Sequence, residues 1–590
     1  MTRNNDSLFY SGLREIRDLR QMISESCSLY ADRTAYLVKK YKGGEFLPLS
    51  YRMLKNDIDA LGTKLYDMGL CGRNIALIGT GCYEWMVTYL AVVCGIGVIV
   101  PVDRELDSGA IQNLIDRVEC DTIFYVSEES EKIDRLTGIK NRIEMEFYGD
   151  RTDFSEPLIY QEKEGVISWK RLIAEGEELI RRGHREFLDA SVDADALSVI
   201  LFTSGTTGIP KGVMLSHANI ASNVMDICRA SGIGKTDSNL SVLPIHHTYA
   251  CSYNLTFLYA GGCTAFFEGL KYIVSNLSEA KPTFFIIVPL IAEMIYDRIW
   301  KEARKAGKAE LLRRALKASE RTRAIGIDMR KLLLKTVTGS LGGRLETVVT
   351  AASAISPAVV RGFEDLGITV LQAYGLTETS PLISSTPRLS DDRYKKAGSV
   401  GLCNTTGQLK IVRPDEDGIG EVWFRGPNVM LGYYKMPEET AAVMDGDWFS
   451  TGDLGFVDPD GWLYITGRKK NVIVTKNGEN IYPEEIEVIV NNHPFISDCM
   501  IYPSRRDGSE IVAVQIVPNM ENIVSDLGKE PSPEELQKLM KDIIGDINET
   551  MSSYKRIRSI VIRKEDFVRT TTKKIIRRDN LQDDTQDISR

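Results

Sequence analysis

Paired cysteines, a basic surplus and unbroken apolar runs are what this 590-residue chain lacks. Its ten cysteines (Cys27, Cys71, Cys82, Cys94, Cys120, Cys228, Cys251, Cys263, Cys403, Cys499) include no CxxC pair. That argues against a zinc site or a disulfide framework and fits free thiols in a reducing cytosol. A formal net charge of −9 argues against a general nucleic-acid binder, which carries a basic surplus. The opening stretch MTRNNDSLFYSGLREIRDLR has no apolar core of the signal-peptide kind. Two charge-free stretches, Trp85–Val102 and Ser238–Phe267, are interrupted by Gly95, Gly97 and Pro101, and by Pro244, Gly261 and Gly262. A spanning helix needs about 20 mostly apolar residues without such breaks. The expectation is buried helix–turn–strand segments in a soluble, cytoplasmic protein.

What is present points to several domains, since the chain is too long for one core. Helix-like and strand-like patterns alternate through the first 380 residues. In LKNDIDALGTKLYDMGL, Leu54, Ile58, Leu61 and Leu65 share one helical face that stops near Gly69. NIALIG, GVIVPVD, CDTIFYVS, LSVILFT, GCTAFF, PTFFIIV and LETVVT read as buried strands. This alternation predicts α/β architecture with largely parallel sheets. From about Val400, short strands split by Gly, Pro and Asp predict a small antiparallel β unit. After TGRKKN comes a hairpin–helix–strand–strand–helix–strand order, a compact α+β unit of about 120 residues. The predicted layout is an N-terminal domain over 1–467, a hinge at 468–470, an α+β domain over 471–579 and a polar tail over 580–590. The N-terminal domain comprises two α/β subdomains and a β-barrel-like one.

The chemistry-bearing segments sit at strand ends. SGTTGIPKG, from Ser204, follows LSVILFT and precedes a segment that reads as a helix beginning after Ser216 or His217. Glycines let backbone N–H groups approach an anion, and Ser204, Thr206, Thr207 and Lys211 add hydroxyls and a charge. It is not a Walker A loop, because no Ser or Thr follows the lysine. Taken alone, it is either a phosphate cradle or a surface turn. AYGLTE (Ala373–Glu378) follows LGITVLQ, again a strand end, where α/β folds place ligands. STGD reads as a turn that sets Asp453 beside a glycine, where a carboxylate can take two ribose hydroxyls. RTTTKKIIRR (Arg569–Arg578) is a second Thr/Lys-rich stretch.

LFTSGTTGIPKG, YGLTE, STGDLG and GRKKN, in this order, resemble the adenylate-forming (AMP-binding) superfamily, and most of all its long-chain fatty-acyl-CoA ligase branch. The resemblance covers nearly the whole chain. It implies ATP-dependent ligation of a fatty acid to coenzyme A through an acyl adenylate, with Mg²⁺ as the metal. ATP/AMP contacts would fall on Thr203, Ser204, Gly205, Thr206, Thr207, Gly208, Lys211, Ser353, Ala373, Tyr374, Gly375, Thr377, Asp453 and Arg468. Tyr374 would stack on adenine, Thr377 would meet the α-phosphate, and Asp453 would take the ribose. Glu378, with Thr206, would hold the metal. His247 would lie near the acyl pocket, Lys470 at the hinge, and Gly478 along the pantetheine arm. Lys574 would bridge carboxylate and α-phosphate; Lys573 stands where the family has glycine, and register against KIIRR selects Lys574.

Two departures stand out. The adenine-pocket stretch, glycine-rich in the family, reads TAASAIS here, and alanine is costly where φ must be positive. Asn471 follows the hinge lysine where acidic residues are common. Two readings compete with CoA ligation of a fatty acid. An acyl-AMP ligase serving a carrier-protein thiol is opposed by Gly478, and a non-catalytic ATP- or acyl-binding protein by Lys574, Glu378 and Asp453. A CoA ligase for another carboxylic acid, the acyl chain length and the oligomeric state stay open. Segment 301–335 carries twelve Lys/Arg against four Asp/Glu. It reads as a solvated helix packed on its domain, with peripheral contact to the inner membrane face as the alternative.

Overall fold

A computed structural model describes residues 5–148, 158–203, 210–324, 339, 341–474, 480–506, 509–569 and 575–581. Two large sheets dominate. The first has eight strands in the order Gly432–Tyr433, Lys211–Ser216, Leu197–Thr203, Gly97–Val102, Arg73–Ile78, Thr122–Val126, Asn141–Met145, Ile167–Ser168. It is parallel from Leu197–Thr203 onward; Lys211–Ser216 runs antiparallel to both of its neighbours. The second has nine strands and a parallel centre running through Thr369–Gly375, Thr347–Thr350, Phe284–Ile287, Ser238–Ser241 and Cys263–Phe266. Antiparallel strands close both of its edges. This is the expected α/β class.

One continuous core joins the two sheets, with Ile75 and Leu77 of the first and Phe284, Ile286 and Leu371 of the second in the same cluster. The two charge-free stretches lie inside it. Helix Tyr83–Val93 is buried at all eleven positions, and helix Thr248–Ala260 at all but Tyr249. A helix covered on every side needs no polar stripe, and neither helix has a solvent-facing charged stripe. Among the described residues, no helix is long and apolar enough to cross a membrane. The amphipathic helix Tyr51–Asp67 buries Leu54, Ile58, Leu61 and Leu65 and is capped by Ser50, whose side chain accepts from the Met53 N–H.

A five-stranded antiparallel sheet follows, built from Gln408–Val412, Gly420–Arg425, Met444–Asp445, Trp448–Val457 and Leu463–Arg468. Beyond it, helices Pro483–Asn491 and Pro533–Glu549 pack on a three-stranded sheet (Ile496–Arg506, Ser509–Pro518, Ile557–Ile562) around a separate core that includes Val490, Ile501, Val514 and Met540. Two elements differ from the sequence reading. Lys211–Ser216, read as the approach to a helix, is a strand, while helix His217–Ser231 begins directly after Ser216 as read. Helix Met520–Leu527 was not anticipated.

Candidate active site

The site is built where the second sheet meets the small antiparallel sheet. Tyr374 lies near the end of strand Thr369–Gly375, and its hydroxyl donates to Asp453 Oδ2 at 2.7 Å. Arg468 Nε sits 2.7 Å from the other oxygen, Oδ1. Asp453 and Arg468 are cross-strand partners, so the pairing of Trp448–Val457 with Leu463–Arg468 sets this ion pair. Asp453 does not sit at a turn, as read from STGD. It lies inside a ten-residue strand, just after Gly452 at φ +69°. There Thr451, Gly452 and Asp453 stand opposite Val422 alone, in a bulge. A bulge bends the strand and re-aims its side chains. Thr451 holds this one in place, donating to the Val422 carbonyl at 2.7 Å and accepting from the Asp453 N–H at 3.1 Å. Asp453 is 3 % exposed, so its charge is held by partners rather than by water. Burial, then the adjacent Asp453 carboxylate, push the Tyr374 phenol well above its ordinary range. It therefore stays protonated and donates.

Four residues after Tyr374, Glu378 lies in the short helical turn Thr377–Thr379. Its Oε1 accepts from the Tyr433 hydroxyl at 2.9 Å, and its carbonyl accepts from the Met430 N–H at 2.8 Å. Lys211 Nζ stands 4.6 Å from the centre of the Tyr433 ring, a cation–π distance. Lys211 and Glu378, from two separated motifs, are thus joined through Tyr433, a residue no motif marked. Strand pairing puts Tyr433 there: it lies on the short edge strand Gly432–Tyr433, opposite Val213 of the strand that begins at Lys211. The turn itself is pinned: Asn428 Nδ2 donates to the Thr379 carbonyl at 2.6 Å, and Ser380 Oγ to the Asn428 carbonyl at 2.9 Å. Gly375 has a local reason of its own, because a Cβ there would run into the Pro381 carbonyl.

The stretch TAASAIS leaves strand Thr347–Thr350 with Ala352 at φ +80°, the left-handed region that disfavours any Cβ. The costly geometry that alanine was expected to meet is therefore present, and Ser353 next to it is exposed.

His246 and His247 lie side by side, ring centres 4.1 Å apart. His247 occupies the N-cap position of helix Thr248–Ala260. His246, not His247, lines a small apolar cavity whose walls include Val199, Leu201, Leu215, Ile220 and Leu255. Ser380, two residues beyond Glu378, also lines this cavity, so it adjoins the pinned turn. His246 Nε2 is buried without a hydrogen-bond partner, with Asp103 Oδ1 3.6 Å away. Burial pushes its pKa down to about 4, so it is neutral at pH 7.

Thr203 and Lys211 face each other in register across the antiparallel pair. The intervening phosphate-loop candidates Ser204, Gly205, Thr206, Thr207 and Gly208 lie outside the described residues, as do Gly478 and Lys574. Ala373 is buried, and Lys470 is exposed in the turn Lys469–Asn471 that leads from the antiparallel sheet to the last domain. Among the described residues, no group of three or more His, Cys, Asp or Glu side chains could hold a metal ion. Glu378 is the carboxylate on offer. A single carboxylate suits Mg²⁺, which keeps waters and binds through one or two carboxylates plus the phosphates of a substrate.

Comparison with known proteins gives the family. Residues 23–434 match the model of the AMP-binding enzymes, and residues 470–590 match that of the AMP-binding enzyme C-terminal domain. Long-chain-fatty-acid–CoA ligase 1 of Cavia porcellus is 30% identical over 561 residues, covering 88% of this chain and 78% of that protein. The peroxisomal long chain acyl-CoA synthetase 7 of Arabidopsis thaliana is 28% identical over 81% of this chain and 70% of its own length. In fold, the anthranilate CoA ligase AuaEII, solved with anthranoyl-AMP, superimposes with a TM-score of 0.74 at 19% identity, over 97% of this chain and 96% of that one. With both models matched, and Tyr374 and Arg468 gathered on the buried Asp453 four residues from the Glu378 turn, this chain belongs to the family of AMP-binding enzymes.

Proposed function

We propose that the protein joins a fatty acid to coenzyme A in two steps, through an acyl adenylate, releasing pyrophosphate and AMP. One observation carries the reading. An apolar cavity adjoins the turn bearing Glu378, while the Tyr374–Asp453–Arg468 cluster lies four residues upstream of that turn. An apolar chain, a ribose and phosphates would each meet suitable chemistry around one short stretch, Tyr374–Ser380. The named functions of the relatives, fatty-acid–CoA ligation among them, point the same way.

In the first step a carboxylate oxygen attacks the α-phosphorus of ATP. A P–O bond forms, the bond to the β-phosphate breaks, and pyrophosphate leaves. Anion approaches anion, so preorganised positive groups lower the barrier. Lys211 and the loop 203–211 would grip the departing phosphates, and Asp453 would hold the ribose hydroxyls once Tyr374 and Arg468 yield its oxygens. Tyr374 would present its ring to adenine, lined also by Ser353, Ala373 and Gly375. Thr377 would bond the α-phosphate, Lys574 would bridge it to the carboxylate, and His247 would border the acyl carboxyl. Glu378, with Thr206, would hold Mg²⁺, which supplies charge neutralisation to the phosphates. In the second step the thiol sulfur of coenzyme A attacks the acyl carbon, and AMP leaves as the C–O bond breaks. Lys574 must then withdraw. With the chain divided at 468–470, rotation about Lys470 would exchange Lys574 for Gly478 and its pantetheine passage. The test is product analysis with ATP, a fatty acid and coenzyme A. Thioester and AMP must appear together and only with all three substrates; ADP as the nucleotide product would overturn the proposal.

We also propose peripheral contact with an anionic bilayer through the basic segment 301–335. Its described part continues helix Pro289–Lys305 into helix Ala309–Ala324, where Arg313, Arg314 and Lys317 are exposed beside the exposed Leu311. Exposed Met294 adds a second apolar side chain on the first helix, and basic helices with apolar side chains bind such surfaces. Flotation with anionic liposomes must carry the protein upward, and neutralising Arg313, Arg314 and Lys317 must abolish it. Flotation unaffected by neutralisation would refute the contact.

A further inference from the structure

The apolar cavity is bounded on one side by helix Thr248–Ala260, which contributes Thr248, Cys251, Ser252 and Leu255. At 1.5 Å per residue, the walk from Thr248 to Leu255 covers about 10 Å. This wall adjoins the pinned turn, since Ser252 Oγ donates to the Ser380 carbonyl at 3.1 Å. Tyr89, 3 % exposed, also lines the cavity. Behind Tyr89 stands Trp85, stacked on it with ring centres 5.4 Å apart and planes 14° from parallel. Trp85 is fully buried, so the stack is backed by core and cannot swing into solvent.

We infer that Tyr89, stacked on Trp85, is the wall that limits how long an acyl chain this enzyme accepts. The inference rests on the fatty-acid reading above and adds a residue to it. An apolar ligand gains affinity with each methylene it buries, by about fourfold. A methylene that meets a fixed aromatic wall gains nothing and must displace packed atoms instead. The length profile of the enzyme should therefore rise with chain length and then fall sharply. The position of that fall belongs to Tyr89.

The experiment measures kcat/KM for thioester formation with saturated fatty acids of graded length, for the wild type and three variants. Tyr89→Ala should move the fall to longer chains by two carbons or more, with gains of about fourfold per added methylene beyond the wild-type limit. Tyr89→Phe keeps the ring, so the wild-type fall should stay in place. Cys251→Phe fills the cavity from helix Thr248–Ala260 and should move the fall to shorter chains, which keeps the proposal testable if Tyr89→Ala does not fold. An unchanged profile in both Tyr89→Ala and Cys251→Phe, with activity retained, would overturn the role of Tyr89 and leave the fatty-acid reading intact. A wild type inactive on every fatty acid would remove both.

Discussion

At Ala352 the backbone holds φ +80°, where an L-residue costs roughly 1–2 kcal/mol. Glycine would relieve that strain while adding unfolded-chain entropy, so Ala352→Gly should stabilise the protein by a net ~0.5–1 kcal/mol. A denaturant titration showing a higher midpoint with unchanged slope would bear this out; a lower midpoint would contradict it. At Asp453 the argument is electrostatic. Its buried carboxylate is held by Tyr374 and Arg468, and hydrogen bonds to a charged group contribute about 1.5–3 kcal/mol. Asp453→Asn keeps the shape and removes the charge. It should raise the KM for ATP by roughly 10- to 100-fold and leave the KM for the fatty acid nearly unchanged. Equal rises in both would indicate a collapsed fold instead of a lost nucleotide contact.

Element by element, the legible parts were those whose signal is local. Period and punctuation locate helix Tyr51–Asp67 and the central parallel strands such as Arg73–Ile78, Thr122–Val126 and Phe284–Ile287, because Leu54, Ile58, Leu61 and Leu65 repeat at helical spacing before Gly69 and the strands are short apolar runs. What stayed hidden depends on pairing between distant segments. Strand Lys211–Ser216 is six residues long and merges into a helix start; only its neighbours Leu197–Thr203 and Gly432–Tyr433 make it a strand. The bulge at Gly452 exists because Val422 alone faces three residues, so STGD resembles a turn when read along the chain. Tyr433 and the cavity wall Tyr89 carry no motif, since each is placed by an element remote from its partner. Helix His217–Ser231 shows local signal and distant role together. Ser216 Oγ accepts from the Asn219 N–H at 3.1 Å, and Asn219 Oδ1 accepts from the Ser216 N–H at 2.9 Å. Asn219 also ties the helix to the Pro427 carbonyl at 2.7 Å. Loss of such a cap costs about 0.5–2 kcal/mol. Ser216→Ala should lower stability by that amount in a chemical unfolding series, and no loss would mean that the Asn219 contacts suffice without it.

For the molecule as a whole, acid stability carries a signature of His246. Its folded pKa lies near 4, below the ordinary 6.5, because burial disfavours the charged ring. The unfolded chain therefore binds the extra proton as pH falls through 6.5. His246 contributes stability that is complete above that point and is lost between pH 6.5 and 4, at no more than about 1.4 kcal/mol per pH unit. His246→Asn should flatten the decline of Tm across that window relative to wild type; parallel curves would show that the imidazole is solvated after all.

The reaction itself is tested by exchange of labelled pyrophosphate into ATP, with a fatty acid present and coenzyme A absent. If the carboxylate attacks the α-phosphorus, label must enter ATP only when the fatty acid is added, and Lys574→Ala must slow the exchange by ~10²-fold or more. Exchange without any fatty acid, or none with it while thioester still forms on adding coenzyme A, would contradict an acyl-adenylate intermediate.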